Sequence, residues 1–346
     1  MLDIKLSGAP QGNIKCCHLW FYLSYAPWQA VYPEAVQSFA TMTQTKSFRS
    51  LGVLALLLWC CFISTAFAKE PMRYIYPPPE SGADVRMNYY WELLHAALEE
   101  TSPQWGAYTM GTSSKVLNAA RAELQLAASN EVTVMARTSS IDREKTLLPV
   151  LVPLDKGLTG YRLFLTDKAT QNKLNAVRTL DDLKGFSIGQ GVNWIDGDIL
   201  RNAGLRVVTG PNYDSLFSML AANRFDLFSR GVNEIGLEYA VGKVTNPELV
   251  VEKNLLLYYP LPRYFFFSRT AEGERLAKRV EDGLRLLMKN GKFEKRYQEF
   301  KRSILVDLSV AGRRVIRIGN PYLSAATPLA DKDMWDTLEA ELKPAP

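Results

Sequence analysis

The stretch from Thr179 to Gly231 constrains the fold of this chain most, because it reads as a strand, a glycine turn and a helix in succession. Thr179 suits the cap of a short acidic turn that Gly185 ends. Residues 186–188 alternate in a way that predicts a strand, and residues 193–203 predict a helix. Glycines 189 and 191 join the two, so backbone N–H groups are expected to converge just beyond the sheet, where a small anion would bind.

This stretch resembles the second domain of extracytoplasmic solute-binding proteins of family 3, the amino-acid-binding group with the type II periplasmic-binding-protein fold. The resemblance rests on T-L-D-D-L-K-G at residues 179–185 and on R-F-D-L-F at residues 224–228. It extends over roughly residues 72–300 and identifies the chain as a divergent member. It implies two α/β lobes, each a mixed sheet flanked by helices, with a ligand cleft between them.

The N-terminal part of the chain predicts export. From Met42 a basic segment precedes an apolar run and the small residues Ala66 and Ala68, so residues 42–68 are interpreted as a signal peptide. An uncleaved membrane anchor is the alternative. Residues 1–41 are interpreted as a disordered extension or an over-long gene prediction. The predicted location is the periplasm.

Cysteine, histidine and charge counts exclude several classes of function. All four cysteines precede Lys69, and His95 is the one histidine after it. A disulfide framework, a histidine-rich metal site and a Cys/His nucleophile are therefore excluded from the exported part, and no metal or cofactor is expected. The net charge of +5 falls to +3 after Lys69, which does not indicate nucleic acid as a partner.

Strand and helix patterns alternate along the exported part and predict an α/β protein. The first lobe is predicted to comprise residues 69–161 and 263–346, and the second lobe residues 162–262. The C-terminal extension from about residue 304 is expected to wrap the first lobe. Tyr264 to Phe267 are apolar without interruption, which predicts a central strand buried on both faces.

The first lobe offers four candidate ligand residues. The resemblance places Arg143 at the arginine that clamps a ligand carboxylate, with Ser140 at the neighbouring hydroxyl position. A guanidinium suits a carboxylate because it donates two parallel hydrogen bonds. A surface arginine in a charged turn is the alternative. Tyr76 and Glu80 follow the first strand and face the cleft in the resembling family, unless the prolines between them form only a stiff corner. The aromatic pair that follows, Tyr90 and Trp91, is interpreted as core.

The second lobe offers Gly191, Asn193, Trp194, Asp196 and Arg230. Arg230 and Gly231 lie where amino-acid binders place the acid that receives the ligand's ammonium group. An arginine there would attract a second anion. Asp196 would accept an ammonium group or simply favour the helix N-terminus. These departures indicate an anionic or dicarboxylate-like ligand, or a polar aromatic one stacked on Trp194.

The function predicted from these residues is capture of a small, polar, carboxylate-bearing ligand by a monomer that serves an ABC-type permease or a membrane sensor. No catalysis is required. One rival is an enzyme on the same fold, dehydratase-like, with Glu80, Asp196 or Glu234 as its acid or base. Glu234 and Glu238, four residues apart, are interpreted as a solvated helix face. The other rival is a sensory subunit without a role in transport.

Overall fold

The computed structural model describes residues 70–79, 85–115, 117 and 119–343. Residues 1–41, the predicted signal peptide at residues 42–68 and Glu80 lie outside the described residues. The strands are β1 (Met72–Tyr76), β2 (Tyr108–Thr112), β3 (Met135–Thr138), β4 (Leu148–Val150), β5 (Tyr161–Asp167), β6 (Ser187–Gly191), β7 (Arg206–Gly210), β8 (Leu227–Gly231), β9 (Leu249–Val251), β10 (Leu255–Tyr258), β11 (Arg263–Phe267) and β12 (Arg314–Arg317). The helices are α1 (Asn88–Glu100), α2 (Ser102–Trp105), α3 (Ala119–Ala127), α4 (Ile141–Thr146), α5 (Lys168–Leu174), α6 (Leu180–Leu183), α7 (Ile195–Asn202), α8 (Tyr213–Ala221), α9 (Val232–Thr245), α10 (Ala271–Lys289), α11 (Lys292–Leu305) and α12 (Glu339–Leu342).

The fold is the predicted two-lobed α/β architecture. In the first lobe, β1 pairs with β2 in parallel, and β11 lies between β3 and β4 in an antiparallel sheet. The side chains of Tyr264 to Phe267 in β11 are fully buried, which confirms the predicted central strand. In the second lobe the sheet order is β12-β10-β5-β8-β6-β7, with β9 also paired to β5.

The stretch that best predicted the fold forms its capped turn, strand and helix, but Gly189 and Gly191 lie inside β6 and not in a turn after it. Thr179 accepts a hydrogen bond from the Asp182 N–H at 3.2 Å and caps α6, since its hydroxyl replaces a missing intrahelical partner. Strand β6 then pairs in parallel with both β7 and β8. The carboxyl ends of β6 and β8 therefore lie side by side, and both are followed directly by a turn or a helix.

The chain crosses between the lobes before β5 and after β10, and the two crossings touch. The Tyr259 N–H donates to the Gly160 carbonyl at 3.2 Å. A Cβ atom on Gly160 would lie 2.2 Å from the Tyr259 carbonyl oxygen, so a side chain at this position is sterically excluded. Gly160 thus permits the close approach of the two connecting segments.

The C-terminal extension does not simply wrap the first lobe, and that part of the prediction is wrong. After α11 the chain enters the second lobe, where β12 pairs in parallel with β10 at the edge of the larger sheet. It then returns to the first lobe, where the Tyr322 carbonyl accepts from the Ile141 N–H at 2.8 Å and Asp336 accepts from Lys301 Nζ at 2.7 Å. The physical reason is that β10 has an edge left to pair and Arg314–Arg317 supplies an extended segment with a buried isoleucine.

Strand β3 begins at Met135, and β5 begins at Tyr161 directly after a 3₁₀ turn, Leu158–Gly160. Among the described residues, no helix combines the length and the hydrophobicity needed to cross a membrane.

Candidate ligand-binding site

A cavity of about 320 Å³ lies where the two lobes meet. Its walls come from the ends of β1 and β3, the first turns of α1 and α7, and the region where β5, β8 and β11 approach α9. The lining residues used below are Tyr76, Tyr90, Trp91, Arg143, Arg162, Asn193, Trp194, Asp196, Arg230, Asn233, Glu234 and Arg263.

The structure brings six of the nine predicted site residues to this one cavity. Arg143 and Arg230, predicted from different lobes, both line it, as do Tyr76, Asn193, Trp194 and Asp196. Ser140 and Gly191 do not lie among the lining residues. Glu80 is outside the described part of the chain.

Ser140 and Gly191 position their neighbours. The Ser140 hydroxyl accepts from the Arg143 N–H at 3.2 Å and caps α4, the helix that carries Arg143. A Cβ atom on Gly191 would lie 2.4 Å from the indole ring of Trp194, so the glycine makes room for that ring. Asn193 adopts φ +67°, a left-handed conformation that asparagine tolerates better than most residues, and completes the turn that presents Trp194.

Arg143 is already paired within its own lobe. Its Nε and Nη2 atoms donate to Glu123 at 3.2 and 2.9 Å, and its Nη1 atom donates to the Thr138 carbonyl. Glu123 also lies 3.4 Å from Arg137. An incoming carboxylate would have to displace one of these partners.

Arg230 is paired more tightly still, which corrects two expectations. Its Nε and Nη2 atoms both donate to Glu238 at 2.6 Å. The indole of Trp194 lies 4.8 Å from its guanidinium carbon. Glu238 is 3% exposed, so the expected solvated helix face is wrong. The expectation that Arg230 attracts a second anion is wrong as well, because Glu238 already occupies its fork.

Glu234 is the centre of a cluster of arginines. Its carboxylate lies 3.1 Å from Arg230 and 3.8 Å from both Arg162 and Arg263. Burial alone would raise the pKa of Glu234, but the positive charges of Arg230, Arg162 and Arg263 lower it well below its ordinary value. Hereafter these four residues are called the Glu234 cluster.

Asp196 is also engaged and does not offer an unpaired carboxylate for an ammonium group. It accepts from the Tyr259 hydroxyl at 2.6 Å and lies 3.2 Å from Arg162. The expected anion site on the backbone of the glycine turn is not supported either. The N–H groups of Val192 and Trp194 donate to the carbonyls of Gly210 and Gly191 at 3.0 and 3.1 Å.

Aromatic side chains line the cavity from both lobes. Tyr76 and Trp91 stack with ring centroids 4.3 Å apart on the first lobe, and Trp194 belongs to the second. Trp91 is half-buried, so the expectation that it belongs to the core alone is wrong. Tyr90 is buried as expected, and it reaches the cavity as well.

Trp91, Arg162, Asn233 and Arg263 are among the cavity residues that the sequence did not predict. Arg162 stands near the start of a strand whose other side chains are largely buried, and Arg263 opens the aromatic strand β11. Burying an arginine without partners costs free energy, so an arginine within an apolar strand indicates a polar or charged site nearby. This was the signal in the sequence that could have identified Arg162 and Arg263. No sequence pattern near Asn233 indicates that it reaches the cavity, because its position depends on Tyr90, which is distant in sequence.

Asn233 links the lobes through hydrogen bonds whose direction is fixed. The hydroxyls of Tyr90 and Thr159 both donate to buried Asp155, the first at 3.1 Å. Both oxygens can therefore only accept from Asn233 Nδ2, at 3.1 and 3.2 Å. This orders the junction of the lobes beside the cavity.

Guanidinium groups dominate the polar part of the cavity wall. Six arginines line it: Arg86, Arg137, Arg143, Arg162, Arg230 and Arg263. Of these, Arg143, Arg162, Arg230 and Arg263 each lie within 4 Å of at least one of the carboxylates of Glu123, Asp196, Glu234 and Glu238. A wall rich in guanidinium groups suits a ligand that carries a carboxylate.

Solved structures of amino-acid-binding proteins are similar to this chain. An ancestral arginine-binding protein bound to arginine is 16% identical, with 67% of this chain and 99% of that chain covered and a TM-score of 0.45. A periplasmic binding protein from Salmonella typhimurium with high arginine specificity is 15% identical, with 66% and 98% covered and a TM-score of 0.47. A histidine kinase sensor domain with similarity to periplasmic binding proteins is 17% identical, with 67% and 96% covered and a TM-score of 0.46. No family model and no curated protein matches the chain.

The two acids that were candidates for catalysis and lie within the described residues are poorly suited to it. A general acid must hold a proton at the working pH, but the lowered pKa of Glu234 keeps it ionised. Asp196 lies against Arg162 and accepts a hydrogen bond from Tyr259, so its oxygens serve the packing of the cavity wall.

Proposed function

We propose that this protein is an extracytoplasmic, periplasmic solute-binding protein that captures a small polar carboxylate between its two lobes. The observation that carries the proposal is the cavity itself, which both lobes line with arginine and aromatic side chains. A volume of about 320 Å³ is of the size that proteins use for small molecules. Binding would favour the closed arrangement, because only there do both walls contact the same ligand.

Within this proposal, the cavity residues have different roles. Tyr76, Trp91 and Trp194 offer flat apolar surfaces to the ligand's carbon skeleton. Arg143 stays paired with Glu123 in the wall of the first lobe, and Asn193 and Asp196 shape the wall beside Trp194. Arg230 holds Trp194 and the Glu234 cluster in place. The protein would bind without turnover and deliver its solute, or report it, to a membrane permease or sensor.

Thermal unfolding of the full chain in the presence of defined compounds tests the proposal. The compounds are amino acids, dicarboxylates, aromatic acids and polyamines, each at the same ionic strength. A ligand at a hundred times its dissociation constant stabilises the folded form by about 2.7 kcal/mol, which is a readily measured shift. At least one acid should raise the unfolding temperature and the polyamines should not. Stabilisation by polyamines alone, or by no compound, would contradict the proposal.

A further inference from the structure

Resting on the proposed function, we propose that Arg162 and Arg263, rather than Arg143, hold the carboxylate of the solute. The two arginines stand at the crossings between the lobes, Arg162 as the second residue of β5 and Arg263 as the first of β11. Both line the cavity. They are 2% and 8% exposed, so any anion that reaches them is largely removed from water.

The hydrogen-bonding capacity of these two guanidinium groups is only partly used. Arg162 donates from Nη1 to the Thr159 carbonyl at 3.0 Å and from Nη2 to the Ser229 carbonyl at 3.2 Å. Arg263 donates one long bond of 3.4 Å, from Nη1 to the Ala136 carbonyl. The Nε atom of each is buried and donates to no group within the described residues. A carboxylate is the group that best satisfies such donors.

The carboxylates near Arg162 and Arg263 leave some of the hydrogen-bond donors of these two guanidinium groups without a partner. Glu234 approaches each at 3.8 Å, beyond hydrogen-bond distance, because its Oε2 atom is held by the Gly231 N–H at 3.1 Å and lies close to Arg230. Asp196 lies 3.2 Å from Arg162 but is tied to Tyr259. Arg230 has Glu238 as its main partner, whereas the carboxylate of Glu234 stays 3.8 Å from both Arg162 and Arg263. A further anion would therefore be held by the unused N–H groups of Arg162 and Arg263.

Arg143 and Arg230 differ from the pair in this respect. All three nitrogens of Arg143 donate to Glu123 or Thr138, and two nitrogens of Arg230 donate to Glu238. A solute carboxylate gains less from groups that must first release a partner. In addition, the ring of Tyr90 lies 4.9 Å from the guanidinium carbon of Arg263, which restrains the plane of that group.

Paired probes that differ only in charge test this assignment. Lactate, succinate and mandelate are each compared with the corresponding amide by thermal unfolding and by titration calorimetry of the full chain. In the parent, at least one carboxylate should bind measurably tighter than its amide. Arg263→Gln should weaken that carboxylate about ten- to a hundredfold, the effect of losing a charge-assisted hydrogen bond, and should leave the amide unchanged.

Arg143→Gln is the matched control, since it removes the same charge from the same cavity, and it should weaken the carboxylate by less than about threefold. Arg263→Lys keeps the charge without the fork, and it decides the question if Arg263→Gln does not fold. It should lose part of the preference for carboxylate over amide. A preference that survives both Arg263 variants, or that Arg143→Gln abolishes, overturns the assignment while the proposed function stands. If no carboxylate binds the parent, both proposals fail.

Discussion

Two arginine–glutamate groups share one cavity, and they differ in what they leave available. At the first, Glu123 meets Arg143 with hydrogen bonds to two nitrogens, and the Thr138 carbonyl takes the third. At the second, the Glu234 cluster, one carboxylate is shared among three arginines, two of them at 3.8 Å. The Glu234 cluster therefore leaves more guanidinium N–H groups without a hydrogen-bond partner than Arg143 does. The proposed carboxylate site rests on these unmade hydrogen bonds and not on a count of charges.

Burial explains why the difference matters energetically. The side chain of Arg143 is 12% exposed, and Glu123 is 27% exposed, so water screens that pair in part. Arg162, Arg230 and Glu238 are 2 to 4% exposed as side chains. Because water hardly reaches Arg162, Arg230 and Glu238, the stabilisation of their charges depends almost entirely on their protein partners.

The largest expected effect comes from removing Arg230, the member of the Glu234 cluster that also pairs with buried Glu238. Arg230→Ala leaves Glu238 buried without its two hydrogen bonds and should lower the free energy of unfolding by about 3–5 kcal/mol. Arg143→Ala, the matched change in the first group, should cost only about 1–2 kcal/mol because water reaches Glu123. Urea unfolding of both variants measures the difference. Equal losses would show that the two groups are energetically alike.

The next effect depends on pH. Because the folded-state pKa of Glu234 is lowered, its ionisation stabilises the protein fully above its unfolded pKa of about 4.3, and that stability is lost as the pH falls below this value. Glu234→Gln should therefore be less stable than the parent at pH 7 by about 2–3 kcal/mol. The gap between the two should narrow as the pH falls from about 4 to 2. A gap that stays constant over this range would mean that Glu234 gains nothing from the arginines.

A smaller effect is expected from crowding the second group without changing its charge. A Cβ atom on Gly231 would lie 2.4 Å from Asn233 Oδ1 and 3.2 Å from Arg162 Nη1. Gly231→Ala should therefore cost about 1–2 kcal/mol in urea unfolding. Gly111→Ala is the control, because no atom lies within 4 Å of its added Cβ, and it should change stability by less than about 0.5 kcal/mol. Equal losses of stability in the two variants would mean that the Asn233 side chain does not lie against Gly231.

The smallest expected effect comes from Glu123→Gln, which would make the first arginine–glutamate group the one with unused donors. Glu123→Gln removes the negative charge that pairs with Arg143 and keeps the size of the side chain. Arg143 should then compete for a solute carboxylate, and calorimetry with succinate should detect binding tighter by about two- to fivefold. The gain should disappear in the double variant with Arg143→Gln. Unchanged or weaker binding by Glu123→Gln would indicate that Arg143 does not reach the solute.

The fold was predictable because its signals are local and repeated. The capped turn at Thr179 and the uninterrupted apolar strand from Tyr264 to Phe267 each depend on residues that are close together in sequence. Such signals reinforce one another, so the alternation of strands and helices identified the architecture. The path of β12 was missed, because its partner β10 lies far back along the chain.

The candidate site was predictable only in part, because hydrogen-bond partners distant in sequence decide which arginine is occupied. Arg143 and Arg230 were found from their positions, but Glu123 and Glu238 determine what those arginines can do. Arg263 reaches the cavity only because β11 returns to the first lobe beside β3. Side-chain pairing of this kind depends on tertiary contacts and not on spacing along the chain.

The central claim is that a small carboxylate binds in the cavity between the lobes. The most direct measurement is a ¹⁹F NMR titration of the full chain, labelled at its seven tryptophans with 5-fluorotryptophan, using lactate, succinate and mandelate. Trp91→Phe and Trp194→Phe assign the two resonances that belong to the cavity. Saturable shifts of both resonances with at least one carboxylate, and not with its amide, are the predicted result. Shifts confined to the other tryptophans, or none at all, would contradict the claim.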